Sequence, residues 1–242
     1  ERTVAALVEN YLKAEESRGK KSATTLKKAK GILESSVLPR LGSRPVADVD
    51  HIEIAEALED IKEVAANRSG KSGAGAANDA RKYLLQVFKR GGFLKWITEN
   101  PMQYIEPLPM KERTVTATED QLRALWAVWE ARKASDDERG RASALALQFL
   151  TLTLQRGEEV SSLVWSEVNE SRKLWILPED RKKERRAAAV PLSEPALLIL
   201  AEARELYPDG VGPFTGRGGE GTIKRNSLTQ SFGRDRERLG IT

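Results

Sequence analysis

The sequence predicts a mainly helical protein with one small antiparallel β-sheet, divided into two domains. Three observations carry this. Apolar residues recur at i, i+3 and i+4 through most of the chain, the period of helices with one buried face. Between residues 107 and 118 the chain carries Pro107, Pro109 and a run of threonines and charges, which argues against a helix and reads as a linker. Two short β-prone runs, one at 174–177 and one ending near Pro191, flank a polar basic turn, the pattern of a hairpin. The domains are expected at 1–106 and 119–242, joined by 107–118.

Composition narrows the classes. Of 242 residues, 40% are hydrophobic and 31% charged, the balance of an ordinary soluble globular chain. No apolar stretch approaches the length of a membrane span, and no secretory signal opens the chain, so an intracellular location is expected and no membrane partner. The absence of cysteine excludes disulfides and thiolate metal sites. A single histidine leaves little for a zinc site or a Ser-His-Asp triad. No metal or cofactor is expected. The net charge of +4 is a mild pull towards a polyanion, and its distribution says more. The first residue is Glu1, so a fragment of a longer protein is expected.

In the first half, Thr3 caps a helix carrying Val4, Leu7, Val8, Tyr11 and Leu12. A second helix is predicted from about Thr24 to Ser35, with Leu26, Ala29, Ile32 and Leu33 inward and Lys27, Lys28 and Lys30 on the other face. Residues 37–46, broken by Pro39, Gly42 and Pro45, read as a tight connector. Asp50 and Glu53 have the spacing of a capping box for a third helix with Ile54, Leu58 and Ile61 inward. His51 in its first turn is read as solvated or capping. The glycine-rich 69–75 is a loop, not a phosphate loop, since the required spacing and preceding strand are absent. A fourth helix runs from about Ala76 to Arg90 and is expected to end at Gly91-Gly92.

Charge is sorted in this half. Residues 71–96 hold six basic side chains against Asp79, and 20–34 hold five lysines against Glu34. Residues 46–63 hold seven acids against Lys62. Ordinary solvated faces account for such runs. Two basic helices around an acidic one point instead to a face for phosphates. Its candidate contacts are Lys27, Lys28, Lys30, Arg81, Lys82, Lys89 and Arg90.

In the second half, Thr118 and Gln121 form a capping box for a helix presenting Leu122, Leu125, Trp126 and Trp129, its two tryptophans read as core. An apolar run follows, with 145, 149, 152 and 154 on its buried side. It leads into Arg156, and Glu159 three residues on is within reach of that guanidinium. On these residues alone, a helix end with a local ion pair explains the segment. Then come Leu174-Trp-Ile-Leu177, the basic turn Arg181-Lys182-Lys183-Glu184-Arg185-Arg186, and a strand ending Val190-Pro191-Leu192-Ser193. Ser193 caps a further helix with Leu197, Leu198 and Leu200. The glycine-rich 208–221 is read as a surface loop, and a last basic helix spans about Asn226 to Leu239.

This order of R-x-x-E segment, strand, basic turn and V-P-L-S strand resembles the front part of the catalytic domain of tyrosine recombinases, closest to prophage and genomic-island integrases. The four helices before it resemble the core-binding domain of the same family, one jaw of a clamp on duplex DNA. The resemblance implies site-specific recombination through a 3′-phosphotyrosyl intermediate in a full-length parent. Its partners would be double-stranded attachment sites, with the protein associating as a tetramer on DNA at the nucleoid. It assigns Arg156 to the scissile phosphate, supported by Glu159. Lys183, seven residues before Val190, becomes the general acid, with Lys182 next in line, and Arg181 and Arg185 become DNA contacts. A solvated basic turn is the plainer reading of that tip.

The chemistry suits these residue types. A guanidinium stays charged and binds two phosphate oxygens as negative charge builds. An ammonium on a hairpin donates a proton to the leaving 5′ oxygen. The family's H-x-x-R box and nucleophilic tyrosine would lie beyond residue 242, and Tyr11, Tyr83, Tyr104 and Tyr207 match no nucleophile position. Leu154 stands where relatives usually have glycine, and Ala187-Ala188 where they often have Pro-His. This 242-residue chain is therefore expected to bind DNA without cutting it. A non-catalytic relative that occupies sites, or a helical protein-binding scaffold, are the other readings.

Overall fold

The computed structural model describes residues 2–70, 72–110, 116–135, 137–179, 187–215 and 221–241. The chain forms two compact units, 1–113 and 114–242.

The first unit is helical. Helix α1 (Val4–Arg18) starts at Thr3, whose hydroxyl accepts from the Ala6 N–H, and stops at Gly19 in the left-handed region. Its entry is pinned by an antiparallel bridge between Thr3 and Pro45. Helix α2 (Ala23–Ile32) is capped by Ser22 and runs straight into a π-helical turn, Leu33–Val37, and a short helix α3 (Leu38–Leu41). The connector expected at 37–46 is therefore helical in its first half. The reason lies at Pro39, which has no N–H for the Ser35 carbonyl; the wider turn before it lets the Leu38 N–H bond the Leu33 carbonyl and the chain continues. Leu33, Val37 and Leu41 are thereby kept in the core.

Helix α4 (His51–Ser69) is capped by Asp50, which accepts from the Glu53 N–H. Glu53 does not complete a reciprocal box; its carboxylate pairs with Arg44 at 2.7 Å. Helix α5 (Ala74–Phe93) passes through Gly91-Gly92 instead of ending there. Gly91 is buried where α5 lies against Leu7 of α1, so its missing side chain serves close packing and not a stop. The core gathers Val4, Leu7 and Tyr11 from α1, Ile54, Leu58 and Ile61 from α4, and Leu84, Val87 and Phe88 from α5. Residues after the 3₁₀ turn Pro101–Tyr104 stay on this unit: Ile105 is buried, and Asn78 bonds both the N–H and the carbonyl of Leu108.

The second unit packs helices against a three-stranded antiparallel sheet. Helix α6 (Glu119–Lys133) has the full capping box of Thr118 and Gln121. Helix α7 (Glu138–Thr153) is buried along most of its length, as its all-round apolar sequence requires. A short helix α8 (Gly157–Ser161) follows. The sheet is β1 (Val168–Asn169), β2 (Leu174–Leu177) and β3 (Ala188–Pro191), in that order. In the hairpin, Trp175 faces Val190 and Leu177 faces Ala188. β1 was not foreseen; at two residues it is too short to show a period. Helix α9 (Glu194–Leu206) is capped by Ser193, and α10 (Arg225–Arg238) closes the unit.

Two expectations in this unit need correction. Leu154 lies off the buried face and is 84% exposed. The loop after α9 is not merely surface: Phe214 is fully buried against Phe149, ring centroids 5.5 Å apart, and the Val211 carbonyl accepts from the Trp165 N–H.

Candidate nucleic-acid interface and phosphate site

In the first unit the basic residues of α2 and α5 lie on neighbouring helices. Lys28 Nζ bridges to Asp79 on α5 at 2.8 Å. Lys21, just before α2, donates to Gln86 and Tyr11, both at 2.7 Å, and pairs with Glu15 at 2.9 Å. That cluster joins α1, the start of α2 and α5. The Lys21 hydrogen bond holds the Glu15 carboxyl below its ordinary range, against the opposing effect of burial. Burial alone would lower the Lys21 ammonium, but its bonds to Tyr11 and Glu15 outweigh that and raise it.

The seven candidate DNA contacts in this unit separate by what they touch. Lys27, Lys82 and Lys89 are exposed with no carboxylate partner among the described residues. Lys30 is exposed beside Glu34 at 3.8 Å. Lys28 is tied to Asp79. Arg81 is turned inward: its Nε and a terminal nitrogen both donate to the Ile105 carbonyl, at 2.8 and 2.6 Å. Arg90 donates to Asn10 and lies over the exposed ring of Phe93, 4.9 Å from its centroid. On α5, Lys82, Gln86, Lys89 and Phe93 recur at i, i+4, i+7 and i+11 and so share one side. The sequence did not single out Phe93, since one aromatic at a helix end carries no periodic signal.

In the second unit the chain reverses between α7 and α8, and Arg156 stands at the turn as the N-cap of α8. Its side chain is 58% exposed, while that of Glu159 is 5% exposed. One Glu159 oxygen accepts from the Arg156 backbone N–H at 3.0 Å and the other from its guanidinium at 3.2 Å. A buried carboxylate thus fixes both the backbone and the fork of an exposed arginine. The planar guanidinium carries five donors in a fork whose geometry matches a phosphate. α10 covers the same turn, with Leu228 near Gly157. Lys224 and Arg225 at its start are exposed.

Arg181, Lys182, Lys183 and Arg185 lie outside the described residues; β2 and β3 on either side bring the two ends of the tip together. The four tyrosines are otherwise engaged. Tyr11 and Tyr83 are buried, and Tyr104 donates to Glu99 at 2.7 Å. Tyr207 donates to the carbonyl of Glu138, at the start of the 16-residue α7. Arg156 follows the other end of that helix, about 24 Å away by the rise of an α-helix. Among the described residues no group of His, Cys, Asp or Glu could hold a metal ion, and no helix is long and apolar enough to cross a membrane.

Comparison with known proteins follows the same division. Residues 4–107 match the family model of the phage integrase central domain. No curated protein matches the sequence. Among solved structures, a lambda integrase (75-356) dimer bound to a COC′ core site aligns with TM-score 0.81 at 19% identity, over 99% of this chain and 82% of that one. A lambda integrase tetramer bound to a Holliday junction aligns with TM-score 0.80, also at 19% identity, over 99% of this chain and 67% of that one. The Tn1549 transposon integrase with a circular intermediate DNA aligns with TM-score 0.77 at 16% identity, over all of this chain and 80% of that one. The chain spans 64% of the lambda integrase chain in a second core-site complex. The first unit therefore matches the phage integrase central domain, and the chain as a whole shares the fold of the lambda and Tn1549 integrases.

Proposed function

We propose that this chain is the DNA-gripping and phosphate-activating part of a site-specific tyrosine recombinase that integrates or excises mobile DNA. The observation that carries the reading is the Arg156–Glu159 pair: an exposed guanidinium fixed by a buried carboxylate in an otherwise helical fold of this family. In this reading the first unit grips duplex DNA through Lys27, Lys82 and Lys89, with Lys28, Lys30 and Arg90 beside them. Arg81 positions the 105–108 segment instead. Attachment-site DNA and further copies of the protein assembled on it are the partners.

The reaction then runs as follows. A tyrosine hydroxyl attacks the scissile phosphorus and loses its proton to solvent, forming a P–O bond to the enzyme as the bond to the 5′ oxygen breaks. Arg156 offsets the charge that develops on the equatorial oxygens. Lys183 gives its proton to the departing 5′ oxygen. Tyr207, at the far end of α7, does not reach Arg156, so the tyrosine comes from protein outside these residues. The 242-residue chain binds without cutting.

The test is cleavage of a nicked suicide duplex by a longer protein carrying this sequence. A covalent adduct is expected, with Arg156→Ala slowing its formation by about 100-fold or more, as for loss of comparable transition-state donors. Lys183→Ala should recover on a 5′-thiol-bridged phosphate, whose leaving group needs no proton. An Arg156→Ala protein as fast as its parent overturns the reading. Binding with no adduct at all would make the protein a non-catalytic occupant of such sites.

A further inference from the structure

Leu154 closes helix α7 in the left-handed region, at φ 52° and ψ 26°. That conformation costs an L side chain energy, most of all a bulky one. Among the described residues, the only other non-glycine positions with positive φ are Lys95 and Lys173, whose long charged chains suit solvent. Leu154 is instead the most exposed of the large apolar residues described, at 84%. Burial therefore does not offset the strain. Nor does the helix end need a leucine. The cap consists of its backbone N–H donating to the Leu150 carbonyl at 2.8 Å, a bond glycine makes equally well.

Nine other large apolar side chains are exposed, but among the described residues only Leu154 combines exposure with a left-handed backbone, and that combination points to an external partner. Its position says which. Arg156 is two residues on, so their Cα atoms are at most about 7 Å apart. Gln155 between them is folded back, its amide donating to the Thr153 carbonyl at 3.0 Å. Leu154 and Arg156 are thus two exposed side chains of one turn. The surface flanking any phosphate on duplex DNA is the C–H face of the deoxyribose.

We propose that Leu154 packs on the deoxyribose beside the phosphate held by Arg156, so that guanidinium and isobutyl group grip one nucleotide together. This rests on the recombinase reading above. Leu154 is a binding residue that fixes where the phosphodiester sits, and it takes no part in proton or charge transfer.

The experiment measures affinity of the 242-residue chain for a short fluorescent duplex across a range of salt, with melting temperatures for each variant. Leu154→Gly and Leu154→Ala should each weaken binding by roughly 5- to 10-fold, in keeping with lost apolar contact. Their salt slopes should match the wild type, because no phosphate contact is lost. Arg156→Ala should reduce the slope by about 1. Leu154→Gly should melt at or above the wild-type temperature, since relief of strain offsets the freedom glycine gains on unfolding. Reduced affinity without reduced stability is the result that a purely structural role cannot give.

Leu154 variants that bind like wild type, while Arg156→Ala is weakened, overturn the proposal and leave the recombinase reading standing. An altered salt slope in the Leu154 variants overturns it as well. So does a DNA-free dimer in sedimentation that dissociates on Leu154→Gly, which would make the residue a contact between copies. Arg156→Ala binding with unchanged affinity and slope counts instead against the recombinase reading itself.

Discussion

The indole Nε1 of Trp129 donates to a carboxylate oxygen of Asp235 at 3.0 Å, joining α6 to α10 inside the second unit. Asp235 is 3% exposed, and its other oxygen pairs with Arg132, which also donates to Ser231 at 2.8 Å. These bonds lock the helix that covers the Arg156 turn.

Asp235→Ala should therefore be severely destabilising. It leaves the buried Trp129 N–H and the Arg132 guanidinium without their acceptor, and breaking a buried pair in this way costs about 3–5 kcal/mol. Urea unfolding followed by tryptophan fluorescence measures it, as Trp126, Trp129, Trp165 and Trp175 all lie in this unit. A loss near zero would contradict the role given to the pair.

The Lys21 cluster predicts a pH dependence of the first unit. The Lys21 hydrogen bond holds the Glu15 carboxyl low. A depressed carboxyl contributes stability that is present above its unfolded value, about 4.3, and is lost as pH falls through its lower folded value. The raised Lys21 ammonium contributes below its unfolded value, about 10.4, and loses that contribution as pH rises through the higher folded one. Lys21→Met should thus flatten the acid limb of the melting-temperature profile relative to wild type. Parallel acid limbs would show that the cluster contributes nothing.

Gly70 and Gly73 separate two costs at the α4–α5 junction. Both have positive φ, 64° and 70°. A Cβ on Gly70 meets nothing within 4 Å, whereas one on Gly73 would sit 1.9 Å from the Lys62 carbonyl oxygen. Gly70→Ala should cost about 1 kcal/mol from conformation alone, and Gly73→Ala at least about 2 kcal/mol because the backbone must also part. Equal losses in urea unfolding would contradict the close approach.

Local signals in the sequence carried much of this structure, and tertiary ones did not. Thr3, Asp50, Thr118 and Ser193 cap the helices expected of them because the bond is made within three residues. The mainly helical fold with its small antiparallel sheet was readable from period, and Arg156 and Glu159 meet because one helical turn separates them. What failed depended on distant partners. Gly91 looked like a stop but is a packing surface for Leu7, and Phe214 sat in an apparent surface loop because nothing local marks it as core. Arg81 looked like its basic neighbours, yet a carbonyl 24 residues on claims its guanidinium. Leu154 ended an apolar run, and only the backbone shows that the helix turns it out.

The central claim is that this chain grips duplex DNA through phosphates, with Lys82 and Lys89 on one side of α5 among the contacts. Measured across salt, the logarithm of its affinity for a duplex of arbitrary sequence should fall steeply and linearly with the logarithm of salt concentration, as bound counterions are released. Reversing both charges, Lys82→Glu with Lys89→Glu, should lower the slope by about 2 and weaken binding to all sequences alike. Binding that ignores salt, a slope unchanged by the double reversal, or no binding even at low salt would contradict the account.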